Sequence, residues 1–324
     1  MKISVITPTH NKVALLRRTL ASLAAQDMAP SGFEVIVIDD GCSDDTPAFL
    51  AGYAGPVALR VVRNVANRGR SAARNAGLKV ATGELVVFLD DDMEVAPGFL
   101  AAHLAFHATP GRLGVGNVVN APEVTDSPIV RYMSTRGAQK ILARGPLPWK
   151  YFSSNNSSVR MADLKRVGFF DEEFVTYGFE DLELGYRLHF DAGLTPGFVA
   201  GARSLHIHYH DLEDVLRKKY LSGRSSLAIM FRKHPEARRL MKYDRYQAPR
   251  PGDPPGLWLA RAFFGAMLTP PVYALARPLA RFDWGVVSDR IFDYLVLYQT
   301  IAGLRAAESE AEPTFNAAPA GSRS

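Results

Sequence analysis

Apolar positions in the first hundred residues follow two alternating rhythms. Strand-like segments fall at 2–7, 33–38, 59–62 and 85–89, apolar apart from Lys2, Ser4, Thr7, Glu34 and Arg60. Short runs without alternation predict strands buried on both faces. Between them the spacing turns helical: Leu16, Leu20 and Leu23 share one face, and 47–53, 71–80 and 97–107 read as further helices. Asp45 or Thr46 supplies a cap before the 47–53 helix, with a proline in its first turn. Strand–helix alternation of this kind predicts an α/β fold: a mostly parallel sheet covered by helices on both faces.

From about Gly111 the rhythm changes. Residues 112–160 show short strand-like pieces between Pro and Gly turns. A helix is predicted over 179–190, a strand over 197–209 and a basic helix over 212–231. Residues 217–245 hold ten Lys or Arg against two acids, and 247–256 hold four prolines and two glycines, the composition of a linker. Residues 257–304 are apolar and aromatic with helical spacing around Pro270-Pro271; the tail after Ala306 is predicted disordered. The expected segments are therefore 1–110, 111–245, 246–305 and 306–324.

Composition narrows the partners. The chain has 324 residues, 47% of them hydrophobic, enough for one large domain with additions. A net charge of +5 suits anionic ligands such as phosphates, or an acidic membrane surface. The single cysteine, Cys42, excludes an intrachain disulfide framework and fits a reducing compartment. Met1-Lys2-Ile3 runs into a strand without the features of a signal peptide. The longest uncharged stretch, 262–276, is broken by prolines and falls short of the roughly 20 residues of a spanning helix. A cytoplasmic location is expected. The aromatic 257–304 segment and the basic run suit peripheral contact with the inner face of the membrane, and equally a helical cap or a dimer contact. Oligomeric state is left open. No basic–aromatic module accompanies the basic helix, so no nucleic-acid partner is expected.

The candidate chemistry gathers at strand ends. Open α/β sheets bind ligands outside the carboxyl ends of their strands. There the chain places Pro8-Thr9-His10-Asn11, Asp39-Asp40-Gly41, the 64–70 stretch with Asn67 and Arg70, and Asp90-Asp91-Asp92. Three adjacent carboxylates repel one another unless a cation binds them, and oxygen donors favour Mg²⁺ or Mn²⁺; an isolated triplet also fits a solvated acidic turn. Asp40 is placed to accept from a base N–H or a ribose hydroxyl, whereas Asp44, Asp45 and Thr46 read as caps. Arg70 and Arg74, at a helix N-terminus, suit a pyrophosphate or a basic surface. His206, His208 and His210 share one strand face and suit a metal shell or a surface histidine run; the oxygen-rich triplet argues against zinc. Glu180 and Asp181 begin a helix, as a carboxylate base or as acids facing the macrodipole. Glu183 and Arg187 read as a structural i,i+4 pair. Asn155 and Asn156 suit an acceptor contact or a polar turn.

Taken in order, Ile6-Thr7-Pro8-Thr9-His10-Asn11, Ile38-Asp39-Asp40-Gly41, Arg74-Asn75-Ala76-Gly77, the Asp triplet, Asn155-Asn156, the 167–172 segment Val-Gly-Phe-Phe-Asp-Glu and the segment from Tyr177 to Arg187 resemble the family-2 glycosyltransferases. The resemblance covers roughly residues 2–230. It implies the GT-A fold, a Rossmann-like, mostly parallel sheet flanked by helices, here with a C-terminal helical extension. Residues 1–110 would be the nucleotide-sugar half and 111–245 the acceptor and catalytic half. The implied activity is inverting transfer of a sugar from a nucleotide diphosphate, a UDP-sugar foremost, to a hydroxyl of a glycan or lipid-linked glycan in cell-envelope polysaccharide synthesis. The implied roles put Pro8, Thr9, His10 and Asn11 around the nucleobase, although the family often has an aromatic ring where His10 stands. Asp40 would bind the base, with Asn67, Arg70, Arg74 and Asp90 also on the donor. Asp91 would hold the ribose. Asp92, with His206 or His208, would hold Mn²⁺ or Mg²⁺ on the diphosphate. Asp181 would be the base with Glu180 beside it, and Asn155 and Asn156 would meet the acceptor. Two other classes compete with this reading. A metal-dependent nucleotidyltransferase would want a Gly-rich, Lys-bearing loop near the N-terminus, which is absent; a non-catalytic nucleotide-sugar or glycan-binding protein would not need Glu180-Asp181.

Overall fold

The computed structural model describes residues 1–124, 127–134, 147–209 and 211–311. The chain divides into two compact units, Met1–Leu212 and Glu213–Ser324.

The first unit opens with β1 (Ile3–Thr9), α1 (Val13–Ala24), β2 (Phe33–Asp40), α2 (Thr46–Ala51), β3 (Leu59–Asn64), α3 (Arg70–Val80) and β4 (Leu85–Leu89). It continues with β5 (Met93–Val95), α4 (Phe99–Phe106), β6 (Arg112–Asn120), α5 (Pro128–Ser134), β7 (Asn156–Arg160), α6 (Met161–Val167), α7 (Glu180–Phe190) and β8 (Thr195–His206). Eight strands form one sheet in the order β3-β2-β1-β4-β7-β6-β8-β5. The β3-β2-β1-β4 half is parallel, as the alternation predicts. The other half is mixed: β7 runs antiparallel to β4 and β6, β5 antiparallel to β8, and only β6 and β8 run parallel.

Alternate residues of the parallel strands feed two cores, because successive side chains of a strand point to opposite faces. Val5, Val35, Val37 and Val87 meet α1 and α4 through Leu16, Leu20, Leu23 and Phe99. Ile6, Ile36, Ile38 and Phe88 meet α3, α6 and α7 through Ala73, Leu78, Leu164 and Leu184. All eight residues of β2 are buried, which is why its sequence shows no alternation. The small residues of α3 let it lie close on the sheet: a Cβ on Gly77 would come within 2.7 Å of Ile38 Cδ1.

The second unit is helical among its described residues. It comprises α8 (Leu212–Ser222), a π-helical turn at Gly223–Leu227, α9 (Ala228–Lys233), α10 (Pro235–Leu240), α11 (Pro255–Met267), α12 (Pro270–Ala276) and α13 (Val286–Ala311). Two sequence expectations are corrected here. The basic 212–231 helix is interrupted by the π turn and groups with the C-terminal helices. Gly223 and Gly303 allow backbone-to-backbone approach: added Cβ atoms would sit 2.0 Å from Thr300 O and 2.1 Å from Tyr220 O. The unit boundary therefore falls at Leu212 and not at the Pro/Gly-rich 247–256 stretch, whose Asp253 is pinned to Arg261 at 2.8 Å. Second, helix α13 continues through 306–311, where a disordered tail was expected; residues 312–324 and His210 lie outside the described residues. Among the described residues no single helix is long and apolar enough to cross a membrane.

Candidate active site

Strand β4 is wholly buried, so the chain leaving it carries the Asp triplet at the carboxyl end of the sheet. The three carboxylates meet different surroundings. Asp90 remains partly open, its side chain 27% exposed, and accepts from Arg74 Nη2 at 2.9 Å. Asp91 is buried between Lys12 Nζ at 3.1 Å and the Thr9 hydroxyl, which donates to its Oδ2 at 2.7 Å. Asp92 is buried against Lys12 Nζ at 2.8 Å and His206 Nε2 at 3.6 Å. Thr19 fixes the turn itself, donating to Asp91 O and accepting from Met93 N–H.

Charge divides unevenly over this group. Burial pushes the Asp91 carboxyl up to about 6, with Lys12 opposing and Asp92 adding to the rise. Burial also opposes ionisation of Asp92, but its contacts with His206 and Lys12 outweigh that and hold it far below the usual carboxylate range. Lys12 is kept above its ordinary value by Asp91 and Asp92 despite its own burial. Lys12 was not singled out from the sequence. It follows the Pro8–Asn11 cluster by one residue, and a lone lysine before a helix carries no signal until the triplet is folded next to it.

A second carboxylate centre lies at the start of α7. Gly178 and Phe179 both have positive φ, 89° and 67°. For a bulky residue such as Phe179 this costs on the order of 1–3 kcal/mol, a strain typical of functional turns. Glu180 is buried and its Oε1 meets Arg74 Nη1 at 3.2 Å. Arg74, itself 1% exposed, thus bridges Glu180 to Asp90. This corrects the expectation that Arg74 meets a phosphate: its guanidinium is committed to two carboxylates and lies 5.4 Å over the Phe170 ring. Asp181 is half-buried; burial pushes it up to about 6, with Glu180 adding and Arg74 opposing.

The segment before α7 is clamped to α3. Asn75 accepts from Phe170 N–H at 3.0 Å and donates to Phe170 O at 2.9 Å. Ser71 donates to Phe174 O. Gly69, with φ of 85°, passes so close that a Cβ there would lie 2.8 Å from Val175 O. Arg70 stacks over the Tyr177 ring at 4.6 Å. Tyr177 is thus a further site residue, which the sequence offered only as part of a matching segment.

The remaining expected donor residues mostly hold loops. Asp40 accepts from Asn64 Nδ2 at 2.7 Å, Arg68 N–H at 3.0 Å and Gly69 N–H at 3.1 Å. A carboxylate has about four lone-pair sites, so roughly one is left for a ligand. Asn67 accepts from Gly69 N–H and is exposed. Asn11 accepts from Ser43 and Asp44 N–H, bracing the loop after β2. His10 is exposed, and its Nδ1 lies 2.9 Å from Asp40 O. Pro8 is half-buried within β1.

Asn156 is corrected outright as an acceptor residue. It is 1% exposed, donates to Ala202 O and Ser204 Oγ at 2.9 Å, and meets His103 Nε2 at 3.0 Å. It belongs to a buried polar layer with His103, His107 and Ser158, where burial pushes His103 down to about 3. Asn155, half-buried, keeps its place near the site, since its carbonyl accepts from Asp90 N–H at 3.3 Å.

The β5–β8 pairing brings Met93 opposite His206 and so sets His206 beside Asp92. Strand β8 ends at His206, and the His208 ring lies 6.4 Å from that of His206. Among the described residues no group of three or more His, Cys, Asp or Glu forms a metal cage. Asp92 and His206 nevertheless fit Mn²⁺ or Mg²⁺ whose other ligands come from a diphosphate, since such ions are commonly held by one or two protein donors plus phosphate oxygens. Asp92 Oδ1 is buried, has no hydrogen bond of normal length and faces His206 Nε2 at 3.6 Å, so the two donors are turned toward one another.

Comparison with known proteins bears on the family and the fold. Residues 4–168 match the family model described as Glycosyl transferase family 2. Validoxylamine A glucosyltransferase of Streptomyces hygroscopicus subsp. limoneus is 36% identical over 219 residues, 58% of this chain and 48% of that protein. The chain thus spans about half the length of that relative. The uncharacterized glycosyltransferase YfnE of Bacillus subtilis (strain 168) is 28% identical over 306 residues, 78% of this chain and 76% of its own. Among solved structures, the mannosyltransferase PcManGT from Pyrobaculum calidifontis, in complex with GDP-Man and Mn2+, superposes with a TM-score of 0.62 at 21% identity, covering 96% of this chain and 88% of that one. S. aureus TarS 1-349 in complex with UDP-GlcNAc gives 0.53 at 20% identity, covering 96% and 91%. These two likenesses establish the fold.

Proposed function

The chain belongs to glycosyl transferase family 2, and from that premise we propose that it transfers a sugar, with inversion, from a nucleotide diphosphate donor to a hydroxyl of a glycan or lipid-linked glycan. Glycosyltransferase relatives over most of the chain set aside the nucleotidyltransferase and non-catalytic binding readings. A UDP-sugar is the favoured donor, in line with the UDP-GlcNAc of the TarS complex; the GDP-Man of the PcManGT complex is the alternative.

The observation that carries the reading is the Arg74 bridge. It ties Asp90, at the end of β4, to Glu180, at the start of α7. One buried guanidinium thereby couples the donor end of the sheet to the helix bearing the base. In the proposed mechanism Asp90, the most open of the triplet, and the last lone pair of Asp40 receive the nucleoside. Asp91, buried between Thr9 and Lys12, supports the site from beneath and keeps lone pairs for the ribose. Asp92 and His206 would hold Mn²⁺ or Mg²⁺. When bound, that ion would offset the charge developing on the departing diphosphate. Asp181 accepts the proton of the acceptor hydroxyl as it attacks the anomeric carbon; its raised pKa keeps it basic enough to do so while still ionised at neutral pH.

Release of nucleoside diphosphate from UDP-glucose, UDP-GlcNAc and GDP-mannose, with Mn²⁺ and with EDTA, tests this. We expect turnover of one donor that EDTA abolishes and that Asp92→Ala lowers by on the order of 10²-fold or more. Full transfer activity in Asp181→Asn would remove the base from the mechanism.

A further inference from the structure

Helix α11 is built inside out. Its one charged residue, Arg261, is 5% exposed and turned inward, paired with Asp253 at 2.8 Å and donating to Asp244 O at 3.0 Å. Trp258, Leu259 and Phe263 are 47%, 63% and 58% exposed. Helix α12 carries no charge at all, and Leu275, Phe282 and Trp284 continue the exposed apolar series at 77%, 57% and 55%. Nine of the sixteen exposed large apolar residues among those described fall within 258–287. Single exposed apolar side chains are ordinary, but a concentration of this kind marks a surface that is covered in use.

Charge identifies the cover. Residues 213–324 hold 17 Lys and Arg against 11 Asp and Glu, whereas the preceding residues hold 21 against 22. The chain's positive excess thus resides in this unit, carried by 217–245 with ten Lys and Arg against two acids, while 246–311 holds six of each. Arg250 and Arg281 are exposed, Arg281 directly before Phe282, and the Arg290 side chain is 83% exposed with Asp293 3.9 Å away. A symmetric contact with a second copy would leave the unit's positive excess uncompensated. Phospholipid headgroups of negative charge satisfy both halves of the surface: the aromatic rings enter the headgroup–acyl boundary and the arginines meet phosphate. The pair Pro255–Met267 and Pro270–Arg281 is bent by 65°, and neither helix alone passes as a membrane span. That shape, with an ion pair on its inner side, suits a segment lying in the interface rather than crossing it.

We propose that the α11–α12 face and the start of α13 dock the protein on an anionic lipid surface. This does not depend on the donor, the acceptor or the catalytic assignments. The test is flotation of the full chain with phosphatidylcholine vesicles, alone or with roughly three tenths phosphatidylglycerol. We expect flotation with the anionic vesicles, weakened at high salt, and a blue shift of tryptophan emission in a Trp149→Phe background that leaves Trp258 and Trp284 as reporters. The triple variant Trp258→Ser/Phe263→Ser/Trp284→Ser should bind on the order of tenfold less tightly or worse. It removes exposed side chains only, and an unchanged urea midpoint verifies its fold. Arg281→Glu/Arg290→Glu, which leaves the apolar face intact, should weaken binding to anionic vesicles specifically. Absence of flotation, or flotation indifferent to both variants, overturns the proposal. So does a dimer that the triple variant converts to monomer while neither form floats.

Discussion

Asp181→Asn should make the protein more stable at pH 7 while removing most of its activity. Burial and the neighbouring Glu180 push the Asp181 carboxyl from 3.8 to about 6. The folded protein therefore holds this proton more tightly than the unfolded chain does. Above the window between the two values the ionised side chain costs stability; below about pH 4 it is protonated in both states and costs nothing. That rise corresponds to a cost of up to about 3 kcal/mol at pH 7. Asparagine has the same shape and no charge, and its carbonyl can still accept from Leu182 N–H, as Asp181 Oδ1 does at 2.8 Å. Urea unfolding of both proteins near pH 7, 5.5 and 4 reads the difference directly. The variant's advantage should be largest at pH 7, shrink through the 4–6 window and vanish below it. The transfer rate should fall by roughly 10²–10⁴-fold, the usual contribution of a positioned base. A variant equally or less stable at pH 7, or a difference that does not change with pH, would refute the reasoning, because it would mean that Asp181 is not held ionised against its surroundings.

Two further perturbations probe the two ends of the site. Lys12→Met leaves Asp91 and Asp92 buried without their ammonium and should cost about 3–5 kcal/mol; Mn²⁺ should then raise the melting temperature of the variant more than that of wild type, and an equal rise would mean that Lys12 does not compete with the ion for Asp92. Asn75→Ala removes the clamp on Phe170 and should cost about 1–3 kcal/mol, lowering kcat while donor affinity by calorimetry stays within a few-fold; a loss of donor affinity alone would detach Asn75 from the α7 end of the site.

The first half of the fold was legible because β1, β2 and β4 are buried on both faces and α1 on one, although the edge strand β3, expected to be buried, has no buried residue. Those requirements write themselves into local spacing: the 85–89 run is β4, the 71–80 pattern is α3 within one residue, and the Asp triplet stands where a strand end was expected. The β5, β6 and β7 pairings were not legible, because a three-residue strand and a strand of Asn and Ser acquire meaning only from their partners. Asn156 shows this most plainly. Its sequence neighbours are polar, and only the sheet reveals that His103, Ser204 and Ala202 surround it in the interior.

Residue chemistry along the chain therefore determined the class of site: carboxylates at strand ends, a helix beginning with two acids and a histidine late in the order. Tertiary structure alone decided the division of labour, since ionisation and hydrogen bonding depend on neighbours distant in sequence. Arg74 became a bridge between Asp90 and Glu180, 16 and 106 residues away. Lys12 became the cation between Asp91 and Asp92, 79 and 80 residues on. The inverted face of α11 was equally hidden, because a helical pattern fixes which residues share a side, and only packing decides which side turns inward.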